Sequence, residues 1–167
     1  MAGQFQQGFG FKLILKEVTE FDFNNYPSVS GASVSGDLTS GIRIEGLTDL
    51  SDPTNTNFES VVTHDSAGGF AEQLPTQNSY QVNIAGLIKL RSKGYQELKR
   101  ASIENVDPGL PVYWRRESPI PVGGSSAEIV EGYGYVGSFT PSLTAGAIAK
   151  FTATLNGSGK IKFTPAA

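Results

Sequence analysis

The chain has no cysteine and a single histidine among its 167 residues. The first absence excludes a disulfide framework and every thiolate metal site, and the second removes most zinc centres and histidine-based catalytic designs. Nowhere do about 18 apolar residues follow one another, so no membrane-spanning helix is expected. The opening MAGQFQQGFGFKLILKEV lacks the basic-then-apolar order of a secretory leader, and the expectation is a soluble protein made in the cytoplasm. Charge is also sparse: charged residues are 17% of the chain and the formal net charge is -3, which argues against general nucleic-acid binding.

What is present points to β structure. Twenty glycines and 9 prolines with 38% hydrophobic residues describe many short elements joined by turns, in one domain spanning 1–167 with enough chain for a core. Phe11, Leu13 and Leu15 alternate with Lys12, Ile14 and Lys16 as a first strand, and the turn-rich FNNYPSVSGASVSGDLTSG reads as a long loop or flexible hairpin. Ile42 and Ile44 mark a second strand, followed by a polar excursion, TDLSDPTNTN. Tyr80, Val82 and Ile84 alternate with Gln81 and Asn83. Ser92 stands where a cap would start a helix from Lys93 to Ile103, with Tyr95, Leu98 and Ser102 or Ile103 on one face. Leu110, Val112 and Trp114 form another strand, a long one follows from Ile129 and is expected to stop at Pro141, and a last run begins near Ala147. The layout is all-β, a sandwich or barrel of about seven or eight strands with one flanking helix and long loops.

The motifs carry little chemistry. FTATLNGSGKIKF, 151–163, imitates part of a phosphate loop, but a Walker loop runs from strand to helix and this segment alternates on both sides. A three-residue turn Gly157-Ser158-Gly159 pairs Leu155 with Ile161 and Ala153 with Phe163, and Gly159 takes the left-handed position. Gly132, Gly134 and Gly137 match GxGxxG inside a strand, where glycines mark bends or close backbone approach rather than a dinucleotide site. His64, Asp65 and Ser66 are adjacent, a poor arrangement for a triad. Asp49, Asp52, Asn55 and Asn57 lack the spacing of a calcium loop. No catalytic constellation emerges, and no cofactor or metal is expected. Trp114, Tyr113 and Tyr133 leave one alternative, a monomeric carbohydrate-binding or adhesion module with aromatic stacking platforms.

Four stretches resemble the major tail tube proteins of tailed bacteriophages and prophages: GIRIEGLTDL, VVTHDSAGGFAEQLPTQNSYQVNI, the helix SKGYQELKRASIE, and GYGYVGSFTPSLTAGAIAKFTATLNGSGKIKF. The resemblance covers most of 41–163; residues 1–40, a strand and a long loop, contribute nothing to it. It implies a non-enzymatic virion protein whose sixfold rings stack into the tail conduit for DNA, assembled in the host bacterial cytoplasm. The implied partners are further copies of the chain, the tail terminator, the tape measure, baseplate or tail-tip proteins, a sheath if the tail contracts, and passing DNA without sequence-specific binding; no membrane is involved. Charge adds an expectation about stacking. Residues 1–80 hold 3 basic and 10 acidic side chains and residues 81–167 hold 10 basic and 6 acidic. Part of the segment from Leu47 to Asn78 is therefore expected to reach the next ring, setting Asp49, Asp52, Asn55 or Asp65 against Lys89, Arg91, Lys93, Lys99 and Arg100.

Overall fold

A computed structural model describes residues 10–61, 72–104 and 110–167. Among them are eight strands and one helix: β1 Lys12–Glu17, β2 Ile42–Ile44, β3 Leu47–Ser51, β4 Thr54–Val61, β5 Glu72–Leu87, α1 Lys93–Glu104, β6 Pro111–Glu117, β7 Ile129–Ser142 and β8 Lys150–Thr164. The strands form a sheet in the order β2-β1-β6-β7-β8-β5-β3, with β4 also pairing β5, and all of these strand pairs are antiparallel. The two ends of that order, β2 and β3, are separated in the chain only by Glu45 and Gly46. A sheet whose outer strands are joined by two residues must curl back on itself, and the result is a nearly closed barrel.

The inside of the curl holds the main core. Leu13, Leu15, Val112, Trp114, Leu155 and Phe151 point inward from the strands, and α1 closes the core with Tyr95, Leu98 and Ala101. The helix sits close because Gly94 leaves room: a Cβ there would lie 3.2 Å from the Ile44 Cα. Ala101 rather than Ile103 completes the buried helix face, since three and six residues past Tyr95 stay over the sheet while Ile103 is 61% exposed. The Ser92 carbonyl accepts the amide of Gln96 at 3.1 Å, but its hydroxyl is buried without a partner, so Ser92 begins the helix without capping it through its side chain.

A second cluster explains why β1 reads Leu-Ile-Leu without a polar break. Ile14, Tyr113 and Tyr133 project from the opposite face of the sheet and are buried there beneath Val29, Phe21 and Tyr26. The segment 18–32 is thus a flap folded over the outside of β1, β6 and the first half of β7, and the chain then turns in to bury Leu38 in the main core. Tyr26 stacks on Tyr133 with centroids 5.3 Å apart and planes 11° from parallel, and the Tyr133 hydroxyl donates to the Asp22 carbonyl at 2.8 Å. The sequence expected a flexible excursion; its aromatic residues pin it instead.

Three further expectations are corrected. TDLSDPTNTN is strand, not loop: β3 and β4 run along the same edge of β5, from Leu47 opposite Gly86 to Val61 opposite Glu72, interrupted at Asp52 and Pro53. β7 does not stop at Pro141, which pairs with Phe151 near the end of the ribbon. Most consequentially, Gly157, Ser158 and Gly159 do not turn a hairpin. β8 passes straight through them, because β7 offers a continuous partner from Ile129 opposite Thr164 to Ser142 opposite Lys150. The surplus residues are absorbed as a bulge: Glu131 pairs with Lys162 and Tyr133 with Ser158, so three residues of β8 face one of β7. Gly159 does take the left-handed conformation, with φ +74°, and uses it for the bulge.

Candidate functional site

The most distinct surface feature among the described residues is an arm. From Gln81 to Leu87, β5 lies between β3 and β8. Before Gln81 it pairs with β4 alone, while β8 beyond Asn156 pairs with β7 alone. The two ribbons part at that point, and the β4–β5 arm leaves the barrel with Thr54–Ser60 and Pro75–Ser79 all exposed. Thr54, Asn55, Thr56 and Asn78 on the arm face Gly159 and Lys160 on β8 across a cleft of about 530 Å³.

The root of the arm is held by Tyr80. Its ring lies flat against the bulge, so a Cβ at Gly157 would fall inside the ring's van der Waals envelope, and one at Gly132 would come within 2.8 Å of its hydroxyl. That hydroxyl donates to the Tyr133 carbonyl. Burial pushes the ionisation of Tyr80 above its ordinary value, which keeps the hydroxyl a donor. From the other side of the bulge the ring of Phe23 in the flap rests on Gly159, again where a Cβ would go. Flap and arm therefore grip one stretch of β8 from opposite faces. Sequence reading took Gly132 and Gly134 as bends or close approaches, which they are, and Gly157 and Gly159 as a hairpin turn, which they are not; nothing in it paired any of them with Tyr80 or Phe23.

Beside the clamp lies a buried charge. Glu131 accepts from the Tyr113 hydroxyl and lies 3.1 Å from the Lys162 ammonium. Burial, then the hydrogen bond to this carboxylate, drives Tyr113 well above the usual tyrosine range. The ammonium of Lys162 also stands 5.4 Å from the Tyr26 ring centroid, tying β8 to the flap.

The residues expected to bridge rings are scattered rather than gathered in one loop. Asp49 is exposed on β3 opposite Ala85. Asp52 is half-buried, 3.3 Å from Arg116, a side chain that also lies 3.0 Å from Glu128. Asn55 is on the arm. Asp65 lies outside the described residues, as do His64 and Ser66. Of the basic set, Lys89, Arg91 and Lys93 are exposed where β5 turns into α1, with Lys89 3.9 Å from Glu45. Lys99 and Arg100 are farther along α1, the first 6.0 Å from the Tyr95 ring and the second bonded to Glu97. Sequence reading missed an apolar set beside Lys89: Leu90, Leu143 and Ile148 are each more than 70% exposed, on two loops joined by the Ile88 amide donating to the Ala149 carbonyl at 2.9 Å.

The carbohydrate-platform alternative is overturned by burial. Trp114 and Tyr113 are 0% exposed and Tyr133 is 1% exposed, so no ring face is open to a sugar. Among the described residues no cluster of three acidic or histidine side chains could hold a metal ion.

No protein-family model matches the sequence, and no curated protein matches it. Solved structures do. The tail of an empty gene transfer agent particle, refined with C6 symmetry, superposes with a TM-score of 0.62 at 18% identity, covering 96% of this chain and 99% of that one. The SPP1 tail tube gives 0.63 at 10% identity over 94% of this chain and 77% of that chain. A sheath/tube terminator structure of an extracellular contractile injection system gives 0.55 at 13% identity, with 98% and 100% covered. These likenesses span nearly the whole chain, and it has the fold of the tail tube proteins.

Proposed function

We propose that the chain is a structural tail tube subunit: six copies close a ring, rings stack head to tail, and the bore conducts DNA in a virion tail. The observation that carries this reading is the end-to-end likeness to a tail with C6 symmetry, in which almost nothing of either chain is left over. The molecule's own surfaces support it. A two-stranded arm with neither face buried is marginal in isolation, and it gains burial when a neighbour covers it. The arm and the Lys89–Lys93 turn are at opposite ends of β5, as a heterologous, repeating contact requires. In this reading the arm, with Asn55, Phe58 and Glu59, meets the adjacent ring near Lys89, Arg91, Lys93 and the apolar Leu90, Leu143 and Ile148. Asp49 contributes to the same charge complementarity, while Asp52 is engaged by Arg116 within its own subunit.

Terminator, tape measure and baseplate or tip proteins are the partners this role requires at the two ends of the tube, with a sheath outside it in a contractile tail. The test is direct: purified protein, concentrated alone or added to a tail-initiating complex, is viewed by negative-stain electron microscopy. Rings of six or tubes are expected. A protein that stays monomeric under both conditions refutes the reading.

A further inference from the structure

The arm is fastened to the barrel on each of its two strands. On the β4 side Asp52, just before Pro53, lies 3.3 Å from Arg116, and the Pro53 carbonyl accepts the Gln81 amide at 3.2 Å. On the β5 side the fastening is the Tyr80 ring, seated over Gly157 with its hydroxyl donating to the Tyr133 carbonyl and the Ser158 carbonyl 3.5 Å away. The flap lies on the opposite face of the sheet, yet it is held by the same two pieces of chain. Tyr133 is one of them: its carbonyl accepts from Tyr80, while its hydroxyl donates to the Asp22 carbonyl and its ring stacks on Phe21 and Tyr26 with centroids 5.1 Å and 5.3 Å apart. The bulge is the other, with Tyr80 at Gly157 and Phe23 at Gly159.

Such a seat is loose by composition. Three residues of β8 face one of β7 there, two of the three are glycine, and glycine loses more conformational freedom on ordering than any other residue. A ring resting on one side of the bulge fixes backbone that the ring on the other side also needs fixed. Whichever docks first bears that ordering cost and the second docks onto a surface already ordered, which makes the two events cooperative across the sheet. We infer that the flap positions the arm: Phe23, acting through the bulge and Tyr133, holds the seat of Tyr80 and with it the direction in which the arm leaves the barrel. Linkage makes the effect reciprocal, so an arm held in place steadies the flap. This coupling belongs to the single subunit and precedes any assembly. In a tail tube it has a consequence, because a neighbouring copy that captures the arm also locks the flap of the subunit that offers it.

Amide hydrogen exchange of the full chain, followed by NMR below the concentration at which it assembles, reads the coupling in both directions. The Gln81 amide reports the arm root; the Ala32 amide, which donates to the Val29 carbonyl at 3.0 Å, reports the flap; and the Gln96 amide in α1 reports the rest of the fold. Phe23→Ala removes a ring that is 36% exposed, and it should speed exchange at Gln81 about fivefold, the low end for coupled sites, with Gln96 unchanged. Tyr80→Phe keeps the ring and removes only the hydroxyl, and Ala32 should then exchange faster as well, again with Gln96 unchanged. If Phe23 only adds stability, its loss speeds all three amides alike; if it acts on the flap alone, Gln81 keeps its rate. Either result overturns the inference. Both are read on single subunits, so such a failure leaves the tail tube reading standing, and a chain that forms no tube removes that reading without touching the coupling.

Discussion

Replacing Gly159 with alanine tests the two-sided grip on β8. The glycine has φ +74°, where an L side chain costs about 1 kcal/mol, and its missing Cβ is where the Phe23 ring rests. Phe23 is 36% exposed, so the ring can escape outward, but only by leaving its edge contact with Tyr133 at 5.3 Å and with Phe21 at 6.3 Å. Aromatic pairs contribute about 0.5–1.5 kcal/mol each, so the two contacts set the steric part of the cost at about 1–3 kcal/mol and the total at about 2–4 kcal/mol. In a Phe23→Ala background the steric part is already gone, and Gly159→Ala should cost only the conformational part of about 1 kcal/mol. Urea unfolding of the four proteins, at concentrations below assembly, measures the difference as a coupling of about 1–3 kcal/mol, with the double variant more stable than additivity allows. Additive costs would refute the placement of Phe23 on the bulge, and a Gly159→Ala protein as stable as the parent would refute the bulge itself.

Other expectations follow from the same geometry. Tyr26, Tyr80, Tyr113 and Tyr133 all have their ionisation raised from 10.0, each chiefly by burial; above that pH the unfolded chain loses protons that the folded chain keeps, so stability should be level below pH 10 and fall as pH rises past it. Tyr113→Phe should make that fall shallower in pH-dependent melting, and an unchanged slope would count against a buried Tyr113. Glu131→Ala, which strips the Tyr113 hydroxyl of its acceptor, should cost about 1–3 kcal/mol by urea unfolding, and Glu131→Gln less than half of that. Replacing 58–76 with a two-residue turn between the paired Asn57 and Gln77 should leave the melting temperature within about 4 °C but stop growth at single rings in electron micrographs; full-length tubes would show that the arm does not stack rings.

The fold class was legible because alternation is a local signal. Tyr80, Val82 and Ile84, or Val112 and Trp114, announce a half-buried strand whatever surrounds them, and eight strands with one helix were within reach from such runs alone. Hydrophobic periodicity fails where burial is decided by distant parts of the chain. The polar Thr54–Asn57 run has no apolar stripe because its strand lies on an arm with both faces exposed, so the sequence reads as loop. Phe21, Phe23 and Tyr26 lie among turn formers, and only the covered faces of Tyr113 and Tyr133, some 90 to 110 positions away in the sequence, explain why that segment folds down as a flap.

The closing NGSG segment shows how a correct local inference can take the wrong global form. Register arithmetic paired Leu155 with Ile161 across a three-residue turn and made Gly159 left-handed; the left-handed glycine holds and the pairing does not. A turn and a bulge each let a strand keep its apolar residues on one face while skipping a few positions. The choice between them belongs to the partner strand. Had β7 ended at Pro141 and begun near Tyr133, β8 would have lost its ladder at Asn156 and a hairpin would have been the cheaper way to pair its backbone. β7 instead starts at Ile129 and supplies partners as far as Thr164, so the backbone groups beyond Asn156 are already satisfied and doubling back would forfeit them. The glycines then serve another purpose: their missing side chains admit Tyr80 from the core and Phe23 from the flap, and the arm leaves the barrel at the place where both rings are anchored.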